Sequence, residues 1–241
     1  MLFRSDEALP GDEKWLRLPK SAEEVHSIAR MVRGRSELYV GPNALKKHLL
    51  AGKAKAVPLL HFSTHAAVDG DDPERSRILF SPEGGHEGLD YLFLGDIYDL
   101  DLHGVDLVTV SACETERGRI IRGEGVEAFS RAFLAAGARA AVTSLWRVAD
   151  QPTAEFMKQF YYFVGAGWMK CEALRQTKLR FIRSGSALAH PRHWAPFVLN
   201  GEGLRPAPAP FPWSTVLLVP AAVMVLLGFV LRLGRRASGA R

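Results

Sequence analysis

The chain has 241 residues, 47% of them hydrophobic and 24% charged, a composition that excludes a wholly disordered or collagen-like chain. The formal net charge of +5 could indicate a nucleic-acid partner, but four arginines lie in residues 232–241, which contain no acid. The rest of the chain contains the other 27 of the 31 basic side chains and all 26 acidic ones, so its charges nearly cancel. The near balance argues against a nucleic-acid partner.

Helix and strand signals alternate along most of the chain. Ser21 and Glu24 have the spacing of a capping box, which predicts that a helix begins there. Gly52 and Gly137 are placed to end helices. The predicted helical segments are 21–33, 44–51, 94–100, 124–136, 152–164 and 172–183, and the predicted strands are 37–40, 58–63, 78–80, 107–110, 140–145 and 197–199. Apolar strands separated by helices predict an α/β fold with a mostly parallel sheet covered on both faces.

The C-terminal segment differs from the rest of the chain. It carries no charge from Pro206 to Leu231, and its last 19 residues would form a helix about 28 Å long, enough to span a membrane. Trp213 and Arg232 are suitable interfacial anchors at its two ends. The predicted organisation is an N-terminal extension (1–19), a domain (20–203), a Pro-rich linker (204–212), a transmembrane helix (213–231) and a basic tail (232–241).

Cysteine content and the chain ends bear on the compartment. The two cysteines, Cys113 and Cys171, are too few for a disulfide framework and are consistent with a reducing compartment. The first residues contain no apolar run, so no secretory signal peptide is predicted. The arginines after the span favour a cytoplasmic tail, but export of the whole domain without a signal is not expected. We therefore expect a membrane protein with a single C-terminal anchor and a cytoplasmic domain.

Two predicted strands end in reactive side chains. Strand 58–63 leads into His65, and strand 107–110 leads into Cys113. Because parallel strands present their carboxyl ends at one edge of a sheet, these residues could meet there. A thiol beside an imidazole can be held as the nucleophilic thiolate. The alternative is that Cys113 is a small buried apolar residue and His65 a hydrogen-bonded core residue.

Four segments resemble one protein family. LLHFSTHA (59–66), LVTVSACET (107–115), GEGVEAFSRAFLAAGARAAVTSLWRVAD (123–150) and HWAPFVLNG (193–201) are similar to the CHAT domain, of the caspase–separase group of cysteine peptidases. The resemblance covers about residues 20–201. It implies a three-layer, caspase-like α/β fold with His65 as the dyad histidine and Cys113 as the nucleophile. The caspase signature Gln-Ala-Cys-x-Gly is absent around Cys113, so caspase specificity is not carried over.

The resemblance also implies further site residues. The backbone N–H groups of Ala66 and Cys113 would stabilise the oxyanion. The segment 144–150 would border the pocket for the residue before the cut, which makes Asp150 a candidate for holding a basic side chain. The alternative for Asp150 is the N-cap of a helix that begins at Pro152.

Other residues are interpreted as structural. His61 is predicted to be a core histidine and Cys171 a packing residue, because neither lies in a ligand cluster. No cofactor and no metal site are predicted. The family typically begins with further strands, often after helical repeats, whereas about 20 unpatterned residues precede the first predicted helix here. The sheet could therefore lack an edge, or the missing part could be supplied by another chain, such as a regulatory or helical-repeat partner.

The leading hypothesis is a membrane-anchored cysteine endopeptidase that cleaves protein or peptide substrates through Cys113 and His65. The alternative is a catalytically silent CHAT-like interaction or scaffold module at the membrane.

Overall fold

The computed structural model describes residues 1–4, 18–32, 34, 36–69, 72–85, 90–111, 114–115 and 124–206. The predicted nucleophile, Cys113, and the predicted membrane span, 213–231, lie outside these residues. Within them, no helix combines the length and apolar character needed to cross a membrane.

Ten strands and six α-helices occur in the described part of the chain. Each helix and strand predicted above is present, with ends that differ by no more than three residues. The strands are β1 (Leu2–Arg4), β2 (Leu38–Val40), β3 (Leu59–Phe62), β4 (Ala66–Val68), β5 (Arg77–Phe80), β6 (Asp90–Phe93), β7 (Leu107–Val110), β8 (Glu114–Thr115), β9 (Ala140–Ser144) and β10 (Phe197–Gly201). The helices are α1 (Pro19–Met31), α2 (Lys47–Leu50), α3 (Leu94–Tyr98), α4 (Glu124–Ala135), α5 (Asp150–Gly165) and α6 (Lys170–Ile182).

The larger sheet confirms the mostly parallel arrangement. Among the described residues its strand order is β10-β9-β7-β3-β1-β2, and every pair is parallel except β10 with β9. The strands β3, β7 and β9 therefore end at one edge of the sheet. Any residues that follow these strands can combine into a site at that edge.

Strand β1 was not predicted from the sequence. It lies between β2 and β3, where Leu2 is in register with Leu38 on one side and His61 on the other. Three residues are too few to show a periodic pattern, so this segment could not be distinguished from an unpatterned extension. Part of the predicted N-terminal extension is thus an inner strand of the sheet.

Helices cover both faces of the larger sheet, as predicted. Alternate residues of β3 point to opposite faces: Phe62 stacks on Phe133 of α4, whereas His61 contacts Glu24 of α1. On the first face, α2, α3 and α4 contribute buried apolar side chains, and on the second, α1, α5 and α6 do so. The domain therefore has three layers: the mostly parallel sheet and one layer of helices on each of its two faces.

The helix ends agree only partly with the sequence. Gly52 and Gly137 adopt positive φ angles of 72° and 104° after α2 and α4, as predicted for helix-ending glycines. The capping box at Ser21 is wrong, because α1 begins earlier, at Pro19. The hydroxyl of Ser21 donates to Leu18 O at 2.5 Å, and Glu24 bonds to His61 instead of returning to the helix end.

A smaller sheet extends from the edge where β3 and β7 end. Its order in the described residues is β6-β5-β4-β8, with β4 and β8 parallel and the other pairs antiparallel. The chain thus passes from β3 into β4 and from β7 into β8. β3 and β7 are therefore parallel neighbours in the large sheet, and β4 and β8 are parallel neighbours in the small one.

Candidate active site

The two sheets bracket the segments that contain His65 and Cys113. Before them, Phe62 of β3 is in register with Val110 of β7. After them, Ala67 of β4 is in register with Glu114 of β8. The described residues that flank position 113 are therefore paired with residues on both sides of His65. Cys113 itself lies outside the described residues.

Hydrogen bonds fix the residues that immediately precede His65. Ser111 donates both its N–H, at 3.0 Å, and its hydroxyl, at 3.2 Å, to Phe62 O. The hydroxyl of Thr64 donates to Leu79 O at 3.0 Å. His65 follows directly and is only 2% exposed. The imidazole of His65 is thus carried on a segment anchored to two neighbouring strands.

The ladder between β4 and β5 sets the direction of the Ala66 N–H group. Leu79 donates its N–H to His65 O at 2.9 Å, so His65 O faces β5. Because a trans peptide unit places its C=O and N–H on opposite sides, the N–H of Ala66 faces away from β5. The strand on that side is β8, which begins at Glu114. This direction is compatible with the predicted oxyanion role of Ala66.

Asp150 lies at the same edge and contacts a neighbouring helix. It is the first residue of α5, and Ala149 is the N-cap residue, so the predicted N-cap role of Asp150 in its own helix is wrong. Its Oδ2 instead accepts the N–H of Lys20 in the first turn of α1 at 2.7 Å. Asp150 therefore caps α1 from another element. Its predicted role in holding a basic substrate side chain stays a prediction.

The environment of Asp150 opposes its ionisation. Burial raises the pKa of this carboxyl above its ordinary value, while the N–H of Lys20 opposes that increase. The charge of Glu24 also raises the pKa, and those of His65 and Lys20 lower it. Burial is the largest of these effects, so the neutral carboxyl is favoured more than it would be in water.

We expect Asp150→Ala to lower the free energy of unfolding by about 1 kcal/mol, because α1 loses its cap. Asp150→Asn retains an oxygen acceptor and cannot ionise. Since the folded-state pKa is raised, the folded protein binds this proton more tightly than the unfolded chain. Wild-type stability should therefore fall relative to Asp150→Asn as the pH rises upward from about 4.

Urea unfolding of the three proteins between about pH 4 and 7 measures both effects. Equal stabilities of Asp150→Ala and wild type throughout this range would contradict the capping role. A KM for basic peptide substrates that rises in Asp150→Asn, with stability unchanged, would instead support the predicted substrate contact.

A cleft opens beside Asp150. Its volume is about 550 Å³, and it lies between the first turns of α1 and α5 and the segment 186–193. Its lining includes polar side chains, some of them buried, and charged side chains of both signs. Among these residues are Lys20, Glu24, Gln151, Glu155 and His193. Burial, together with Arg192 and His190, lowers the pKa of His193. The cleft can therefore accept a polar chain segment close to the carboxyl ends of the strands.

Trp146 presents an aromatic ring at this edge. Its side chain is on the loop after β9, and the residue is 42% exposed. The indole N–H donates to Arg192 O at 3.2 Å, and the hydroxyl of Ser144 donates to Trp146 O at 2.5 Å. The ring is thus exposed but fixed in position, as expected for a surface that contacts a ligand.

Sequence reasoning missed the buried pair formed by Glu24 and His61. His61 Nε2 lies 2.7 Å from Glu24 Oε1, and both side chains are 1% exposed. The prediction that His61 is a core histidine is confirmed, but its partner was assigned to a helix cap. Glu24 lies on the same helix face as buried Val25 and Ile28, and a carboxylate at such a position signals a buried partner.

In the part of the chain that the structure describes, no group of three or more His, Cys, Asp or Glu side chains could hold a metal ion. Cys171 lies on α6 and donates its N–H to Gly203 O at 3.1 Å, far along the chain from His65. Its predicted packing role is compatible with this position.

The fold and the paired segments define a mixed α/β domain with a candidate site at the carboxyl ends of its parallel strands. Residues 6–202 match the CHAT domain family, and the chain belongs to that family. Tetratricopeptide repeat protein 28 of Homo sapiens is 27% identical over 222 residues, which cover 79% of this chain and 9% of that protein. Tetratricopeptide repeat protein 28 of Mus musculus is 34% identical over 114 residues, or 47% of this chain and 4% of that protein. The chain thus spans less than a tenth of these relatives.

Proposed function

We propose that this CHAT domain is a cysteine endopeptidase in which Cys113 is the nucleophile and His65 the general acid and base. The observation that carries the proposal is the pair of registers on either side of these residues, Phe62 with Val110 and Ala67 with Glu114. They support a short distance between position 113 and His65.

The chemistry follows from a thiolate beside an imidazolium. The Cys113 sulfur attacks the carbonyl carbon of the peptide bond, and the electron pair moves to the carbonyl oxygen. The N–H of Ala66, which faces the β8 side, would stabilise this oxyanion together with that of Cys113. The imidazolium of His65 then gives its proton to the leaving amine as the C–N bond breaks. Water hydrolyses the thioester with His65 as the base, which restores the thiol.

The cleft beside Asp150 supports a peptide as the substrate. It lies at the first turns of α1 and α5, and its wall includes Lys20, whose N–H donates to Asp150, and Gln151, the residue that follows Asp150. The fixed indole of Trp146 adds an apolar surface on the loop after β9. We propose that substrate residues on one side of the cut occupy this cleft.

A positional peptide library tests the proposal. We expect the wild-type chain to cleave a subset of the library and an electrophilic peptide probe to label Cys113. Cleavage of the same peptides by Cys113→Ala would overturn the proposal.

One observation favours a second function, a catalytically silent interaction module. The relatives are named for tetratricopeptide repeats, and the matched region is under a tenth of their length. A helical-repeat protein is therefore a reasonable partner for this domain. Capture of such a partner by both wild type and Cys113→Ala, with no peptide cleaved and no labelling of Cys113, would favour this function.

We further propose that residues 213–231 anchor the chain in a membrane, with the CHAT domain in the cytoplasm. The support is the uncharged sequence from Pro206 to Leu231, with Trp213 and Arg232 at the two ends of the proposed span.

We expect the full chain to remain in the membrane pellet after alkaline carbonate extraction and a chain ending at residue 205 to be soluble. In sealed cells, a tag after Met1 should be protected from added protease. Release of the full chain by carbonate would contradict the anchor, and digestion of the tag would contradict the orientation.

A further inference from the structure

A second cavity lies at the opposite edge of the larger sheet from His65. Its volume is about 230 Å³, and it is located where β1 and β3 begin and α1 ends. Most of its wall is apolar and includes Leu2, Ile28, Val32 and Leu59. The polar side chain of His61 also lines it. The cavity is therefore an apolar space with a histidine ring in its wall.

Of the two ring nitrogens of His61, one has a hydrogen-bond partner among the described residues and the other has none. Nε2 is bound to Glu24 at 2.7 Å, whereas Nδ1 is buried and has no hydrogen-bond partner among the described residues. The residue is only 1% exposed. Buried polar atoms are almost always paired, because leaving one unpaired is unfavourable. A polar group located in the cavity would supply the missing partner.

The hydrogen-bonding options of Nδ1 define the chemistry of that group. If Nε2 carries the proton and donates to Glu24, Nδ1 accepts a hydrogen bond. If Glu24 carries the proton, or if the ring is doubly protonated, Nδ1–H donates. A hydroxyl group suits every case because it both donates and accepts.

We propose that this cavity binds a small, largely apolar molecule with one hydroxyl group, which forms a hydrogen bond to Nδ1 of His61. The volume is below that of pockets for drug-sized ligands and suits on the order of ten non-hydrogen atoms. Tyr161 packs against the His61 ring at right angles, with the ring centroids 5.3 Å apart, and fixes its orientation. The proposal does not depend on Cys113 or on peptidase activity.

The cavity is separate from the cleft that we assign to peptides. Strand β3 runs from Leu59, in the cavity wall, toward His65 at the other edge of the sheet. The buried pair lies between the two spaces, since Glu24 lines the cleft and His61 lines the cavity. A ligand on Nδ1 would therefore contact the pair without blocking substrate.

A matched pair of probes tests the hydroxyl. 2-Naphthol and naphthalene differ by one hydroxyl group, and we expect 2-naphthol to bind the full chain about tenfold more tightly in a fluorescence titration. In a chain with ¹⁵N-labelled histidine, 2-naphthol should shift the Nδ1 resonance of His61, and naphthalene should leave it nearly unchanged. Equal affinities, no binding of either probe, or an unmoved Nδ1 resonance would overturn the proposal.

A substitution at the cavity mouth tests the location. Ala56 is exposed and lines the cavity, so Ala56→Leu should fill the entrance and weaken 2-naphthol binding at least tenfold without unfolding the domain. The matched control is Ala135→Leu, at an exposed position of α4 that does not line this cavity. Unchanged affinity in folded Ala56→Leu, or equal weakening in both variants, would show that 2-naphthol binds elsewhere.

Discussion

Replacing Cys113 with alanine is expected to lower kcat/KM for peptide hydrolysis by at least about 10³-fold, because no other group can form the thioester. Replacing His65 with alanine should cause a loss of similar size. The double variant should lose little more than either single one, since the two residues act in the same steps. Rates measured under single-turnover conditions separate this chemical loss from substrate binding.

The chain contains a matched control for this experiment. Cys171 is its other cysteine, and it lies on α6 rather than at the carboxyl ends of the parallel strands. Cys171→Ser should retain wild-type hydrolysis and labelling by the electrophilic probe. If the double variant of Cys113 and His65 lowers kcat/KM by the product of the two single-variant factors, the two residues act independently and not as a shared dyad. Loss of labelling in Cys171→Ser would show that the wrong thiol had been assigned.

Local sequence patterns predicted most of the larger sheet and its helices. Strands such as β7, whose four residues are all buried, are visible as short apolar runs, and glycines such as Gly137 mark where helices end. The strands β1, β4, β6 and β8 were not predicted; each has four residues or fewer, and none of them stands out as an apolar run. Their pairing depends on contacts distant in the sequence, which a local pattern does not contain.

The candidate site was predictable only in outline. The sequence suggested that His65 and Cys113 follow neighbouring strands, and the observed registers of β3 with β7 and β4 with β8 agree with that suggestion. The partners of Asp150 and Glu24 were not predictable, because each partner lies on another element. Asp150 caps α1, and Glu24 reaches β3. Such contacts follow from how helices pack on the sheet.

The buried pair of Glu24 and His61 gives the largest expected effect on stability. Glu24→Leu should lower the free energy of unfolding by about 3–5 kcal/mol, because it leaves the His61 ring buried without its partner. This loss is a large part of the about 5–15 kcal/mol that stabilises a typical domain. Urea denaturation should show a lower midpoint with an unchanged m-value. Glu24→Gln retains an oxygen acceptor and should lower the free energy of unfolding by less than Glu24→Leu does.

A double variant distinguishes loss of the pair from loss of packing. Glu24→Leu combined with His61→Phe replaces both partners by apolar groups, and Phe retains a ring against Tyr161. Buried ion pairs replaced in this way often leave stability nearly unchanged, so the double variant should recover most of the loss.

The neighbouring Glu23 is the control for this cycle. Its side chain is 59% exposed and pairs with Lys20 at the surface, so Glu23→Leu should change stability by no more than about 0.5 kcal/mol. If the double variant is as unstable as the sum of its single variants, Glu24 and His61 act independently, and the pair is not what joins α1 to β3. Recovery in the double variant would instead identify this pair as the polar contact that fixes α1 against the strand leading to His65.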